Sequence, residues 1–245
     1  MRVVLYVLTT TLCSIHSNWL LAASSDMQIL ILVSQRNAET VVEAGHRFLN
    51  SNPDYRLQAR TETQLLELSP QQRTQLLESA DVVIGAGLFG AVVSELVANL
   101  SQSGKVKNIL VFNSDHRLVR LSRHNGVPIF SDDKQVETLS AMPPEQALSI
   151  WLESMLDQYP DQAPWLIARR YWQGGGEENL QQMFVWIAQH YDLESELVAK
   201  GAIAQAQLRW WFRGELSEAM PAIDDEKPLV AILDHAGGDR PVDAN

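Results

Sequence analysis

From Met27 onward the chain alternates short apolar runs with amphipathic stretches. Gln28 to Val33 is continuously apolar after its first residue, which predicts a strand covered on both faces, as in the centre of a parallel sheet. Ala38, Val41, Val42, Gly45, Phe48 and Leu49 then recur at helical spacing, and Asn52-Pro53-Asp54 ends that helix. Arg56 to Arg60 is a short strand candidate. Ser69-Pro70 reads as an N-cap followed by proline at the first helical position, opening a helix to about Ser79. Asp81 to Gly85 predicts a second buried strand. Phe89, Val92, Val93, Leu96, Val97 and Leu100 form the cleanest amphipathic stripe of the chain, closed by Ser103-Gly104. Lys107 to Phe112 is a further strand. Val127 to Phe130 is a last, shorter edge strand, because Pro128 cannot donate to a ladder.

Strands alternating with helices of this length imply right-handed crossovers and a parallel sheet. Residues 27–142 therefore predict an α/β domain, a flavodoxin-like doubly wound parallel sheet. After Met142-Pro143-Pro144 the pattern becomes mainly helical over residues 143–226. Leu148, Trp151, Leu152 and Met155 share one face, as do Leu180, Met183, Phe184, Ile187 and Tyr191. This half is Trp-rich: six of the seven tryptophans (Trp151, Trp165, Trp172, Trp186, Trp210 and Trp211) fall in it. Behind the acidic connector Asp224-Asp225-Glu226, Lys227 to Leu233 is a new buried-strand signal. With no helix after it, residues 227–245 read as the start of an unfinished next domain.

The first 24 residues stand apart. Arg2, an apolar run from Val3 to Leu12, and small residues around Ala22-Ala23-Ser24 follow the order of a secretory signal peptide, so the mature chain is expected in the periplasm. Ser14, His16, Ser17 and Asn18 interrupt the apolar run, and no stable membrane span is expected after leader cleavage. An uncleaved anchor and a mis-called start upstream of Met27 are the alternatives, the second of which would leave the protein in the cytoplasm. The single cysteine, Cys13, lies in the leader, so the mature chain has no thiol for a disulfide, a nucleophile or a metal. The formal charge of −11 disfavours a phosphate backbone and excludes general nucleic-acid binding.

Candidate chemistry is sparse. Gly85-Ala86-Gly87-Leu88-Phe89-Gly90 has the spacing of a dinucleotide fingerprint, but it follows the wrong strand and no acidic residue ends the next one, which favours a tight strand-to-helix turn. Asp115 and His116, with His124 nearby, fall at the carboxyl end of a strand, where open sheets bind ligands. Arg117, Arg120 and Arg123 make the same stretch basic, suited to a carboxylate-bearing ligand. No metal site is assigned, since the spacing fits no zinc pattern, and no catalytic set can be assembled. Asp234-His235 with Gly237-Gly238-Asp239 also follows a strand, in an undefined setting.

Ala168-Arg169-Arg170-Tyr171-Trp172-Gln173-Gly174-Gly175-Gly176-Glu177-Glu178-Asn179-Leu180 resembles a segment of the large subunits of cobaltochelatase (CobN) and of magnesium chelatase (its H component). An aromatic pair, a small-residue turn and Glu-Asn lead there into an amphipathic helix. Leu139 to Pro144 and Pro228 to Leu233 also resemble stretches of that family. The resemblance implies the amino-terminal region of a much longer chelatase subunit, a ligase that binds a tetrapyrrole and inserts cobalt or magnesium. ATP would be bound on partner ATPase subunits if the chain is cytosolic, since a secreted version is separated from cytosolic ATP, and no cofactor is assigned to this chain itself. Arg169, Arg170 and Trp172 become candidates for contact with a carboxylated macrocycle, through paired N–H donors and ring stacking, with interface packing as the other reading of the same residues. A self-contained periplasmic module that binds a tetrapyrrole or metal without catalysis is the alternative function.

Overall fold

The computed structural model describes residues 27–141, 148–202, 210–212 and 215–217. The expected leader, the Met142-Pro143-Pro144 break and the Lys227 to Leu233 strand lie outside the described residues. The architecture is α/β, built on a six-stranded, mostly parallel sheet. Its strands are β1 (Gln28–Val33), β2 (Arg56–Thr61), β3 (Val82–Ala86), β4 (Asn108–Phe112), β5 (Arg123–His124) and β6 (Val127–Pro128), in the order β2-β1-β3-β4-β5-β6. The first four run parallel, in a continuous register from Gln28↔Arg56 and Ile29↔Val82 to Ala86↔Phe112, while β5 and β6 are antiparallel. Ile29 to Val33, Val82 to Ile84 and Ile109 to Phe112 are all buried, as unbroken apolar runs require.

Helix α1 (Ala38–Ser51) carries the chain from β1 outward to β2. Helices α2 (Glu62–Glu67) and α3 (Pro70–Glu78) return it past β1 to β3, and α4 (Ala91–Gln102) leads on to β4. The direction of travel reverses at β1, so right-handed crossovers place α1 on one face and α3 and α4 on the other. Both α2 and α3 start with a reciprocal cap: Thr61 with Gln64, and Ser69 with Gln72 ahead of Pro70. Two shorter helices follow β4: α5 (His116–Val119) and α6 (Asp133–Ser140), the latter capped by Asp132, which accepts from Gln135 N at 2.8 Å.

The expected edge strand Val127 to Phe130 is shorter than the sequence suggests. Asn125 (φ 50°) and Gly126 (φ 82°) turn β5 back into β6 as a two-residue hairpin, the Asn-Gly turn that matches strand twist. Ile129 and Phe130 leave the sheet and enter the core.

The second half consists of α7 (Leu148–Gln158), α8 (Ala163–Gly174) and α9 (Gly176–Tyr191), and beyond it lies a small hairpin of β7 (Trp210–Phe212) and β8 (Glu215–Ser217). Gly175 (φ 57°) and Gly176 (φ 69°) make the α8–α9 turn, a backbone that L side chains resist. Helix α9 packs along α1, and Phe184 meets Phe48 with ring centroids 5.9 Å apart. Helix α8 crosses β4. Leu166, Met183, Phe184 and Ile187 belong to the same core cluster as the strands.

The contact between α8 and β4 satisfies a sheet edge. Strand β5 pairs with β4 only at Ile109↔Arg123, so the backbone of Val111 needs other partners. Its N–H donates to Ser122 Oγ at 3.0 Å, and its carbonyl accepts from Trp165 Nε1 at 2.7 Å. Ser122 and Trp165 are both fully buried. Replacing Ser122 by alanine leaves a buried N–H without an acceptor. The S122A variant is expected to lose about 1–3 kcal/mol in urea unfolding, and a loss below about 0.5 kcal/mol, the range of a neutral surface change, would show that the hydroxyl is not needed.

Candidate functional site

Open sheets bind ligands outside the carboxyl ends of their strands, at the point where strand order reverses. In this chain that point lies between β1 and β3, and it is bounded by three strand-to-helix turns. The first, Ser34 to Asn37, follows β1 through a single 3-10 turn, with Asn37 Nδ2 donating to Ser34 Oγ at 3.2 Å. The second, Gly87 to Gly90, follows β3. The third, Asn113 to Asp115, follows β4.

Hydrogen bonds join the second and third turns. Gly87 N donates to Asn113 O at 3.1 Å, Leu88 N to Ser114 Oγ at 3.0 Å, and Asp115 N to Leu88 O at 3.1 Å. Gly87 (φ 69°) also lies against the first turn: a Cβ there would stand 3.2 Å from Ser34 Oγ and 3.3 Å from Asn37 Nδ2. The close approach that this glycine permits is therefore to a neighbouring turn of the same chain. Gly90 (φ 72°) leads into α4 with open space around it. Between the two glycines Phe89 projects outward with 59% of its surface exposed, while Leu88 is buried beneath it. An exposed aromatic ring on a turn fastened by three hydrogen bonds is a rigid apolar contact for a ligand.

Asp115 and His116 both lie at this end. The Asp115 carboxylate caps α5 by accepting from Arg117 N at 3.0 Å, and it pairs with Arg117 Nε at 2.9 Å and Nη2 at 3.1 Å. The Arg117 side chain holds the Asp115 carboxyl below the usual carboxylate range, and a second hydrogen bond from the Arg117 backbone adds to this. Asp115 is thus committed to a cap and an ion pair, whereas His116 is exposed. Trp172, half-buried at the end of α8, packs on Phe112, the last residue of β4, with centroids 5.8 Å apart.

Arg169 lies in the interior, 1% exposed. Its Nη1 donates to Leu139 O, and its Nη2 donates to Ser140 O at 2.9 Å and Ala141 O at 3.1 Å, all at the carboxyl end of α6. With the Gln173 amide turned so that its oxygen faces the guanidinium, it accepts from Nε at 3.1 Å and Nη2 at 3.0 Å. Trp151 and Trp165 flank the cation, with ring centroids 5.4 and 5.2 Å from Cζ. Burial pushes the guanidinium pKa down to about 10, so it remains charged at neutral pH. Arg170 next to it is half-buried. The two arginines, adjacent in sequence, occupy different surroundings, because successive helical residues point about 100° apart.

The other residues of the Ala168 to Leu180 segment are largely internal. Tyr171 is buried and donates its hydroxyl to Lys200 O at 2.6 Å; Asn179 and Leu180 are buried in the first turn of α9. Sequence reasoning did not single out Phe89 as a contact, since its place in an amphipathic stripe argued for the core. The helix begins only at Ala91, which frees the ring from that stripe.

Among the described residues, no group of three or more His, Cys, Asp or Glu side chains is placed to hold a metal ion, and no helix is long and apolar enough to cross a membrane. A groove of about 1050 Å³ opens at the opposite, amino end of the strands, lined by Asp54, Asp81, Lys107 and Tyr191 among others. It is remote from the strand-order reversal. The chain matches no family model and no curated protein.

The contrast between the two arginines is directly measurable. Arg169→Met is expected to cost about 3 kcal/mol in denaturant unfolding, because hydrogen bonds to a charged donor contribute about 1.5–3 kcal/mol. Arg170→Met is expected to stay within about 0.5 kcal/mol of the parent. Equal losses for the two variants would contradict the assignment.

Proposed function

We propose that this chain is the amino-terminal portion of a CobN-like chelatase large subunit, a flavodoxin-like domain with a docked helical half that helps hold a tetrapyrrole during cobalt or other metal insertion. The observation that carries this reading is the segment from Tyr171 to Leu180, in which each distinctive residue has a definite role. Tyr171 anchors the chain beyond α9, Gly175 and Gly176 provide a turn at positive φ, and Asn179 and Leu180 seat the first turn of α9. The strand order β2-β1-β3-β4 supports the finer description of the sheet, since it is the flavodoxin-like order with its ligand crevice between β1 and β3.

A macrocycle in this reading rests on the carboxyl end of the sheet. Phe89 offers a stacking face, and Arg117 and His116 offer hydrogen bonds to peripheral carboxylates. Trp172 borders the same end through its contact with Phe112. Arg169 is a positioning residue, keeping α8 and its flanking tryptophans in place. Ser34 and Asn37 crowd the glycine turn after β3, which disfavours a nucleotide there, and ATPase partner subunits enter this reading only for a cytosolic chain. The leader-like order of residues before Met27 supports a periplasmic location, with the metal as substrate.

The test is a titration of the mature chain with a cobyrinate-type ring and with haem, following tryptophan fluorescence. Saturable quenching is expected, and Phe89→Ala should weaken it roughly tenfold or more, the consequence of losing about 1.5–3 kcal/mol of aromatic burial. No change with either ring, or equal affinity in the F89A variant, would overturn the proposed binding surface.

A further inference from the structure

A second cluster lies away from the carboxyl end of the sheet, where the last turn of α9 meets the β5–β6 hairpin. His124 on β5 and His190 on α9 face each other with ring centroids 5.2 Å apart. Tyr191 contacts both, at 5.4 Å from His124 and 4.8 Å from His190. Trp186, one turn earlier on α9, stacks on His190 at 4.8 Å with the planes 12° apart. Two side-chain atoms here are buried without a hydrogen-bond partner, His124 Nδ1 and Tyr191 Oη. Buried polar atoms ordinarily have partners, so two orphans in one cluster indicate a missing one.

The chemistry of the cluster selects among possible partners. Two imidazoles with no carboxylate suit a late first-row divalent cation and give little to Mg²⁺ or Ca²⁺. A metal about 2.0–2.1 Å from one nitrogen of each ring, at a roughly tetrahedral angle, sets the centroids about 5 Å apart. Asn125 already engages the outer nitrogen of His124: its Nδ2 lies 3.1 Å from Nε2. Coordination through Nδ1 requires this amide to turn its oxygen to Nε2–H, the outer-sphere arrangement that usually orients a ligating histidine.

Of the nearby charged groups, Arg123 turns its Nη2 to Leu100 O and Ser103 O at the end of α4, and Asp192 accepts from the Tyr55 hydroxyl. The Tyr191 ring closes the cluster beside both imidazoles.

We propose that His124 and His190 form a binding site for one late first-row divalent cation, Cu²⁺ most tightly, with coordination completed by water. This site is separate from the ring-binding surface and does not depend on that reading. The test uses the mature chain, free of any histidine tag, titrated calorimetrically with Cu²⁺, Zn²⁺ and Mg²⁺ at pH 7.5. One Cu²⁺ per chain is expected, bound more tightly than Zn²⁺ as the usual affinity order requires, with no response to Mg²⁺. Trp186 makes the binding visible: Cu²⁺ should quench fluorescence in the parent, and W186F should bind equally while losing most of that quench.

Replacing either ligand, in H124Q or H190Q, should weaken Cu²⁺ at least about tenfold, while N125A should weaken it by roughly tenfold as an outer-sphere change. An H46Q variant should bind as the parent does. Imidazole NMR signals of the unsubstituted chain give a second readout that needs no variant, with Zn²⁺ shifting those of His124 and His190. Unaltered Cu²⁺ affinity in a folded double variant lacking both ligands, or Zn²⁺ shifts confined to other histidines, would overturn the site.

Discussion

A guanidinium buried without a carboxylate holds the two halves of this molecule together. Arg169 reaches from α8 to three carbonyls at the end of α6, where the helix dipole is negative, and two indoles cover its flanks. An isolated buried charge is costly, and here backbone oxygens and aromatic faces replace its hydration. Separating α8 from the sheet would expose Trp165 and break its hydrogen bond to Val111, as well as strip the cation of its partners. The helical half is therefore part of the structure that completes the sheet, covering the α1 face and closing the outer edge of β4.

The placement of Arg169 also decides where ligand recognition can occur. With the guanidinium engaged internally, the proposed ring surface is the carboxyl end of the strands, where Phe89 is exposed above a turn fastened to its neighbours. Rigidity there suits the proposed binding, because a turn that is already ordered loses little entropy when it binds. The histidine cluster beneath the end of α9 is a different kind of feature, defined by nitrogen donors and short aromatic contacts and set on a helix and a hairpin.

Much of the frame was legible in the residues. Strands β1, β3 and β4 are read directly because strands buried on both faces are continuous apolar runs, and Ser69-Pro70 marks the start of α3 through its cap. The β5–β6 hairpin was obscured because each strand is two residues long, too short for periodicity, although Asn125-Gly126 carried the turn signal. Helix α6 likewise left only Asp132 and Gln135 as a clue. The burial of Arg169 had no sequence signature, since its partners are backbone carbonyls some 30 residues away and carbonyls carry no residue identity. Phe89 was misread for the opposite reason: it has the spacing of the α4 stripe but precedes the helix.

The most direct test of this account is hydrogen exchange under native conditions, comparing the amides of α8 and α9 with those of β1, β3 and β4. Structure that opens as one cooperative unit exchanges with one free energy. If Arg169, Trp165 and the glycine turn join the halves as described, the two helices and the three strands should lose protection together at the global unfolding free energy. Exchange of α8 and α9 well before the strands, with β4 still protected, would contradict it.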